Sequence, residues 1–323
     1  ECWVCNEPKI KKVINKEHNY NSDEITYQEL LEVIKKFKKG KAPGPDEVPM
    51  EIFKKMNKGN LEEIVKIINK WWNEEEIPEE QLRARIVLIF KNKGNSNDID
   101  NYRPISLTNS MYKIFTAIIQ RRLSAHIDEH LQKTQYGFRK NKSTAHALHI
   151  VRRIMDVGYR AGHKLTPVLL DWEKAFDKVD RNKLIESLER MSVNQKYINR
   201  IKNLYKETLF KIEIEGTSSK WMKQETGIRQ GCPLSPYLFV IVMTVVLLDA
   251  SKGSSNCNGN KDAPYLVTPE LVYADDTMVL GSDPMKVQEH LDNVVKVGSA
   301  YGLELNVKKT VLMRIRGKVD ILD

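Results

Sequence analysis

Tyr273-Ala274-Asp275-Asp276 sits between two short apolar runs, Leu271-Val272 and Met278-Val279-Leu280. Two apolar runs broken by a tight acidic step read as a β-hairpin with carboxylates at its tip. Far upstream, Val168-Leu169-Leu170-Asp171 is another apolar strand that ends on an acid. An antiparallel sheet holding both would bring three carboxylates to one point. Adjacent side chains on a regular strand face opposite ways, so Asp275 and Asp276 converge only by straddling a turn. A set of this kind suits a hard cation such as Mg²⁺, which takes oxygen ligands. Two such ions, about 3.5–4 Å apart, can clamp the attacking and leaving oxygens of a phosphoryl transfer. An Asp-Asp pair is also ordinary turn chemistry, so the pair alone does not decide the matter.

At 323 residues the chain can bury a large core, expected in two subdomains. A 41% hydrophobic content excludes wholesale disorder. Lys+Arg 52 against Asp+Glu 43 gives a net charge of +9, which favours polyanionic partners, although a merely basic protein would carry the same balance. The four cysteines, Cys2, Cys5, Cys232 and Cys257, make no dense framework and fit a reducing compartment. No secretory signal is visible. The most apolar stretch, Tyr237 to Leu248, falls short of the roughly 20 residues a bilayer needs and reads as a buried helix, so no membrane is expected. The first residue is Glu1 rather than Met, and the expectation is a piece of something longer.

Residues 1–22 lack a clear period and read as a linker. Ser22-Asp23-Glu24 is expected to cap a helix carrying Leu30, Leu31, Ile34 and Phe37. Ala42-Pro43-Gly44-Pro45-Asp46 must turn. Helical patterns run from Leu61 to Trp72, Ser110 to His130, Ser143 to Tyr159, Arg181 to Arg190, Gln195 to Tyr205 and Pro284 to Tyr301. Strands are expected at Ile86–Phe90, Leu165–Leu170 and Phe210–Ile214, at the acidic hairpin, and as a pair within Leu303–Ile315. A turn follows at Lys91–Asn95, and Ser251–Asp262 reads as a polar surface loop. No internal repeat is present.

Seven blocks stand in a fixed order: KAPGPD at Lys41–Asp46, NYRPISL at Asn101–Leu107, QYGFRKNKST at Gln135–Thr144, LDWEKAFDKVD at Leu170–Asp180, GIRQGCPLSP at Gly227–Pro236, YADD, and LNVKKT at Leu305–Thr310. In these blocks, across about Lys41 to Thr310, the chain resembles the fingers and palm of reverse transcriptases from non-LTR (LINE-type) retrotransposons. The resemblance implies an α+β right-hand polymerase fold, with an antiparallel palm sheet, packed helices and a largely helical fingers region. Residues 23–164 would be fingers and 165–323 palm, with part of 181–224 returning to the fingers. The implied reaction is RNA-templated addition of deoxynucleotides to a DNA primer 3′-OH with two Mg²⁺ ions, or Mn²⁺ in their place. The implied setting is intracellular, a cytoplasmic ribonucleoprotein and the nucleus. The helical thumb that follows NVKKT in the family is not in the sequence, nor is an endonuclease domain, so the remainder of a polyprotein is expected to be missing.

By this resemblance Asp171, Asp275 and Asp276 hold the metals. Phe176 lies under the incoming sugar and excludes a ribose 2′-OH by steric collision; read alone it is simply a core phenylalanine. Lys91 and Arg103 reach the triphosphate, Arg being suited to bidentate phosphate contact; singly, each is an ordinary surface cation. Gln230 touches the nucleotide, and Gly231 lets backbone approach the template–primer pair, while also serving a helix-start turn. Arg139 contacts the template. Lys309 donates a proton to the leaving pyrophosphate, with Lys308 as rival, since neighbours on a strand cannot both face the site. Two departures stand out: Phe90 replaces a common proline before Lys91, and Glu47 replaces a common glycine after KAPGPD.

Cys2-Trp3-Val4-Cys5 has zinc-like spacing but lacks a second pair nearby. His126 and His130 share a helix face without an acidic partner and read as surface or groove residues. A different class of function, a non-catalytic RNA-binding remnant or ribonucleoprotein subunit, would keep the basic character, but gains little from clustering three repelling carboxylates. An RNA-templated RNA polymerase is opposed by Phe176.

Overall fold

The computed structural model describes residues 12–14, 20–74, 76–214, 216–252, 270–313 and 315. In chain order the first elements are α1 (Tyr27–Lys36), α2 (Met50–Lys55), α3 (Lys58–Glu74), β1 (Arg83–Phe90), β2 (Tyr102–Thr108) and α4 (Ser110–Ile127). Then come α5 (Thr144–Arg160), β3 (Val168–Leu170), α6 (Ala175–Lys178), α7 (Arg181–Arg190), α8 (Gln195–Lys206) and β4 (Leu209–Ile214). The rest are β5 (Thr217–Ser218), β6 (Met222–Lys223), α9 (Ser235–Lys252), β7 (Glu270–Tyr273), β8 (Asp276–Val279), α10 (Pro284–Ala300) and β9 (Val311–Leu312). The class is α+β. The chain divides into two units: Glu1–Ile127 with Ser192–Ser235, and Asp128–Met191 with Pro236–Asp323.

The first unit carries a mixed sheet in the order β2-β1-β4-β5, with β6 on β4. β1 runs antiparallel to β2 and parallel to β4. The cap of α1 is Thr26, not the Ser22-Asp23-Glu24 segment. Thr26 and Glu29 form a reciprocal capping box, and the carbonyls of Asp23 and Glu24 instead accept from the buried Arg122 guanidinium at 2.8 and 3.0 Å. Arg122 also meets both Glu29 oxygens at 2.7 Å. Of the segment read as a linker, Ile14 and Tyr20 are buried, the Tyr20 ring lying against Tyr197 and His126. The KAPGPD turn works as a clasp. A Cβ on Gly44 would lie 2.4 Å from the Thr108 carbonyl carbon. The Asp46 carboxylate accepts from Ser110 N at 3.1 Å, at the start of α4.

The second unit carries an antiparallel sheet in the order β7-β8-β3-β9. Helix α9, all 18 residues of it, is long and apolar enough to cross a membrane by length and composition, so the argument that the apolar stretch is too short fails. Burial decides instead: Tyr237 through Leu247 are each at most 2% exposed, which makes α9 a core helix. The strand before Asp171 is shorter than expected, because Pro167 has no N–H to give a ladder. The expected strand pair in Leu303–Ile315 is a bridge at Leu305, a 3₁₀ turn over Val307–Lys309 and the two-residue β9. The Ser251–Asp262 loop lies mostly, and Cys2 and Cys5 wholly, outside the described residues.

Candidate active site

The register of the second sheet fixes where the acids stand. β3 pairs with β8 so that Leu170 faces Thr277. Continuing that register by one residue sets Asp171 opposite Asp276. β7 and β8 close a hairpin with Tyr273 opposite Asp276, leaving Ala274 and Asp275 as a two-residue turn. Ala274 has φ 60, the left-handed value usually given to glycine at the first central position of such turns. The turn supplies the break in alternation that Asp275 and Asp276 need. Behind it, Trp172 is buried and its indole N–H donates to Thr277 Oγ1 at 3.3 Å.

The three acids act on one another's charge. Burial pushes the Asp275 pKa up, only partly offset by its own backbone amide, and the charges of Asp276 and Asp171 add to the rise. Asp276 is raised too, by desolvation first and by Asp171 second. Lys309 Nζ lies 3.6 Å from Asp171 Oδ2, and the Asp171 carbonyl accepts from Asn306 N at 2.8 Å. Lys308 and Lys309 occupy a 3₁₀ turn rather than a strand, so strand alternation does not choose between them. Among the described residues, no three His, Cys, Asp or Glu side chains are grouped tightly enough to hold a metal ion as a set. The expected triad therefore converges in backbone register, while its like-charged side chains stay spread. Its chemistry still fits a hard cation: three oxygen donors, two of them under charge repulsion. His126 packs on Tyr20, and His130 Nε2 lies 3.1 Å from Glu129.

One neighbour of this turn escaped sequence reasoning. Gln135 is 1% exposed, and its Oε1 accepts from Ala274 N at 2.9 Å and from Gly137 N at 2.8 Å. A Cβ on Gly137 would lie 2.3 Å from Ala274 N. Both residues belong to the QYGFR block, but no local pattern marks a glutamine that acts on a turn 139 positions away.

The other candidates fall into two groups. In the second unit, Phe176 is half-buried, stacked on Phe239 at 4.8 Å and 15° and edge-on to Phe138 at 6.3 Å. Arg139 is turned inward. Its guanidinium meets Asp128 Oδ1 and Oδ2 at 3.1 and 3.0 Å and the Gln132 and Gln135 carbonyls at 3.0 and 3.4 Å. With its donors consumed and its side chain 6% exposed, it braces its own loop rather than facing a template. In the first unit, Lys91 and Arg103 stand near one end of the β1–β2 pair. Arg103 is exposed, and Lys91 Nζ donates to the Asp100 carbonyl at 2.7 Å. The Gln230 carbonyl accepts from Ser106 N at 2.7 Å. Gly231, at φ 119, has no room for a side chain, since a Cβ would lie 2.4 Å from the Ser106 carbonyl oxygen. Its glycine is thus required by β2 itself.

The reverse transcriptase (RNA-dependent DNA polymerase) family profile matches residues 90–322. Among similar proteins, the transposon TX1 uncharacterized 149 kDa protein of Xenopus laevis is 26% identical over 92% of the chain. The RNA-directed DNA polymerase from mobile element jockey of Drosophila melanogaster is 26% identical over 88%. The retrovirus-related Pol polyprotein from type-2 retrotransposable element R2DM, from the same fly, is 26% identical over 86%. The chain spans 23%, 31% and 25% of the lengths of these three relatives. With a family match over most of its length and the acidic hairpin inside the matched region, the chain belongs to the reverse transcriptase family, with non-LTR retrotransposon proteins among its relatives.

Proposed function

We propose that this chain is the polymerase part of a non-LTR retrotransposon protein and extends a DNA primer on an RNA template with deoxynucleotides. The observation that carries the reading is the β3–β8 register, which sets Asp171 against the Asp275–Asp276 turn. In this reading the second unit is the palm and the first unit the fingers, and the template, primer and triphosphate are polyanions suited to a chain of net charge +9. The chain would act as one part of a larger polyprotein, in a ribonucleoprotein of the cytoplasm and the nucleus.

Asp171, Asp275 and Asp276 would hold Mg²⁺. The ions, once bound, would make the primer hydroxyl more acidic and stabilise the triphosphate and its leaving pyrophosphate. The protein's own part is to place the three carboxylates together at some cost to their charged forms, a cost that a bound cation would offset. Phe176, held by Phe239, rejects the 2′-OH of a ribonucleotide. Lys309, beside Asp171, is the proton donor to pyrophosphate, and Lys91, Arg103 and Gln230 orient the nucleotide.

The test is primer extension by the purified chain on RNA with a DNA primer, in Mg²⁺ and in Mn²⁺, beside Asp275→Ala. Extension that vanishes in the variant supports the reading. A chain that binds RNA equally well with and without Asp275, yet never extends even with a thumb supplied, would instead be a binding remnant.

A further inference from the structure

We propose that Gln135 is a positioning residue that holds the Asp275–Asp276 turn in its working geometry. The proposal deepens the polymerase reading and rests on it for the meaning of "working". Three observations carry it.

The first is the pattern of bonds. Gln135 Oε1 takes the amide hydrogens of Ala274 and Gly137, at 2.9 and 2.8 Å, and Nε2 points to the Ala274 carbonyl at 3.4 Å. Both ends of one carboxamide thus address the backbone of one residue, and that residue precedes Asp275. A carboxamide carries the acceptor oxygen and the donor nitrogen that this arrangement uses on one planar group.

The second is the state of the turn. Ala274 is 3% exposed and carries φ 60, a conformation an alanine adopts only under constraint. A strained residue persists where its surroundings over-determine it. The grip of Gln135 on both sides of Ala274 is such a constraint.

The third is that the grip is itself anchored. Residues 134–136 run beside β7, with Tyr136 N donating to the Val272 carbonyl at 2.8 Å and Val272 N donating to the Thr134 carbonyl at 3.0 Å. Gly137 permits the close approach. Arg139 ties the Gln135 carbonyl back to Asp128. A continuous set of contacts therefore runs from Asp128 through Arg139 and Gln135 to the acidic turn.

The experiment compares the full chain with Gln135→Met, which keeps the length and removes the bonds, and with Gln135→Asn, which keeps the amide and shortens its reach. Three readings are taken: hydrogen exchange of the peptide over residues 270–280, Mn²⁺ affinity by electron paramagnetic resonance, and single-turnover extension. Exchange in that peptide is expected to quicken roughly tenfold with the rest of the second sheet unchanged. Mn²⁺ affinity should weaken. The extension rate at saturating nucleotide should fall about 10²-fold, as for a misplacement near 1 Å, while the nucleotide KM moves by less than about threefold. Unchanged exchange in the turn overturns the proposal. So does exchange that rises across the whole sheet with Mn²⁺ affinity intact, which is how an ordinary core residue behaves. Should Gln135→Met fail to fold, Gln135→Asn carries the same readings. The exchange and Mn²⁺ arms need no turnover, so a chain that extends nothing fails the polymerase reading without deciding the fate of Gln135.

Discussion

Replacing Gly137 by alanine is the sharpest perturbation of the acidic turn. The added Cβ would lie 2.3 Å from Ala274 N, 2.9 Å from its Cα and 3.0 Å from its Cβ, where ordinary contact begins at 3.4 Å. The two closest obstacles are backbone atoms, so no rotamer change relieves them. The 134–137 segment or the turn must retreat by about 1 Å, and the bond from Gln135 to Ala274 cannot survive that unaltered. Overpacking of this kind costs about 1–3 kcal/mol, each kcal/mol being worth about 2–4 °C of Tm in a domain of this size. The same displacement at a catalytic group costs about 10²-fold in rate. Urea unfolding and single-turnover extension measure the two losses separately. Gly59→Ala is the control, since among the described residues its added Cβ would meet an Asn57 side-chain oxygen at an ordinary 3.7 Å and alanine favours the helix there. A Gly137→Ala protein that is folded and extends within about threefold of the parent would refute the argument that this segment sets the turn.

The raised pKa values of Asp275 and Asp276 mean that the folded state binds protons more tightly than the unfolded state. Their stabilising contribution is full below the ordinary value of 3.8 and is lost as pH rises through the raised folded values. Asp275→Asn should therefore raise Tm at pH 7, with the gain shrinking towards pH 3.8, even as extension is lost; a Tm unchanged at pH 7 would contradict it. Phe176→Val should relax discrimination against ribonucleotides by roughly 10- to 100-fold, read as the ratio of kcat/KM values; an unchanged ratio would remove Phe176 from sugar selection. Arg139→Leu should destabilise by about 1–3 kcal/mol, because it removes the donor to the Gln132 and Gln135 carbonyls and unpairs the partly exposed Asp128, and should leave the salt slope of RNA binding alone. A slope lowered by about one, with stability kept, would return Arg139 to the template. Glu47 has φ 54, so Glu47→Gly should stabilise the chain by up to about 1 kcal/mol in urea titration, and a loss would show that its side chain matters more than its backbone.

Helix periods were legible because each amphipathic face is local. Arg181–Arg190 is found as read, and α8 differs from its expectation by a residue. The acidic hairpin was legible for the same reason: an apolar run, a break and another run within ten residues. Caps were less so, since Ser22-Asp23-Glu24 and Thr26-Tyr27-Gln28-Glu29 are both plausible starts. The choice was made by Arg122, some 100 positions away, which claims the carbonyls of Asp23 and Glu24. β9 is shorter than the strand-like residues of Leu303–Ile315 suggest, because Asn306 starts a turn, its carbonyl accepting from Lys309 N and Thr310 N.

The resemblance to a family compresses two kinds of information into one motif, and the structure separates them. Gly231 and Arg139 stand in blocks that suggest ligand contact. Here Gly231 is glycine because the Ser106 carbonyl leaves no room for a side chain, and Arg139 is arginine because Asp128 and two carbonyls use its donors. Asp46 in KAPGPD likewise serves the start of α4. Asp171, Asp275 and Asp276 show the opposite sign. Two of the three are shifted in the direction that opposes their charge, and the neighbouring Ala274 is strained. At neutral pH the fold gains nothing in stability from that arrangement, which is what the polymerase reading expects of carboxylates kept for a cation. Gly231, Arg139 and Asp46 lower the energy of the fold, and the acids that raise it stand where the polymerase reading puts the chemistry.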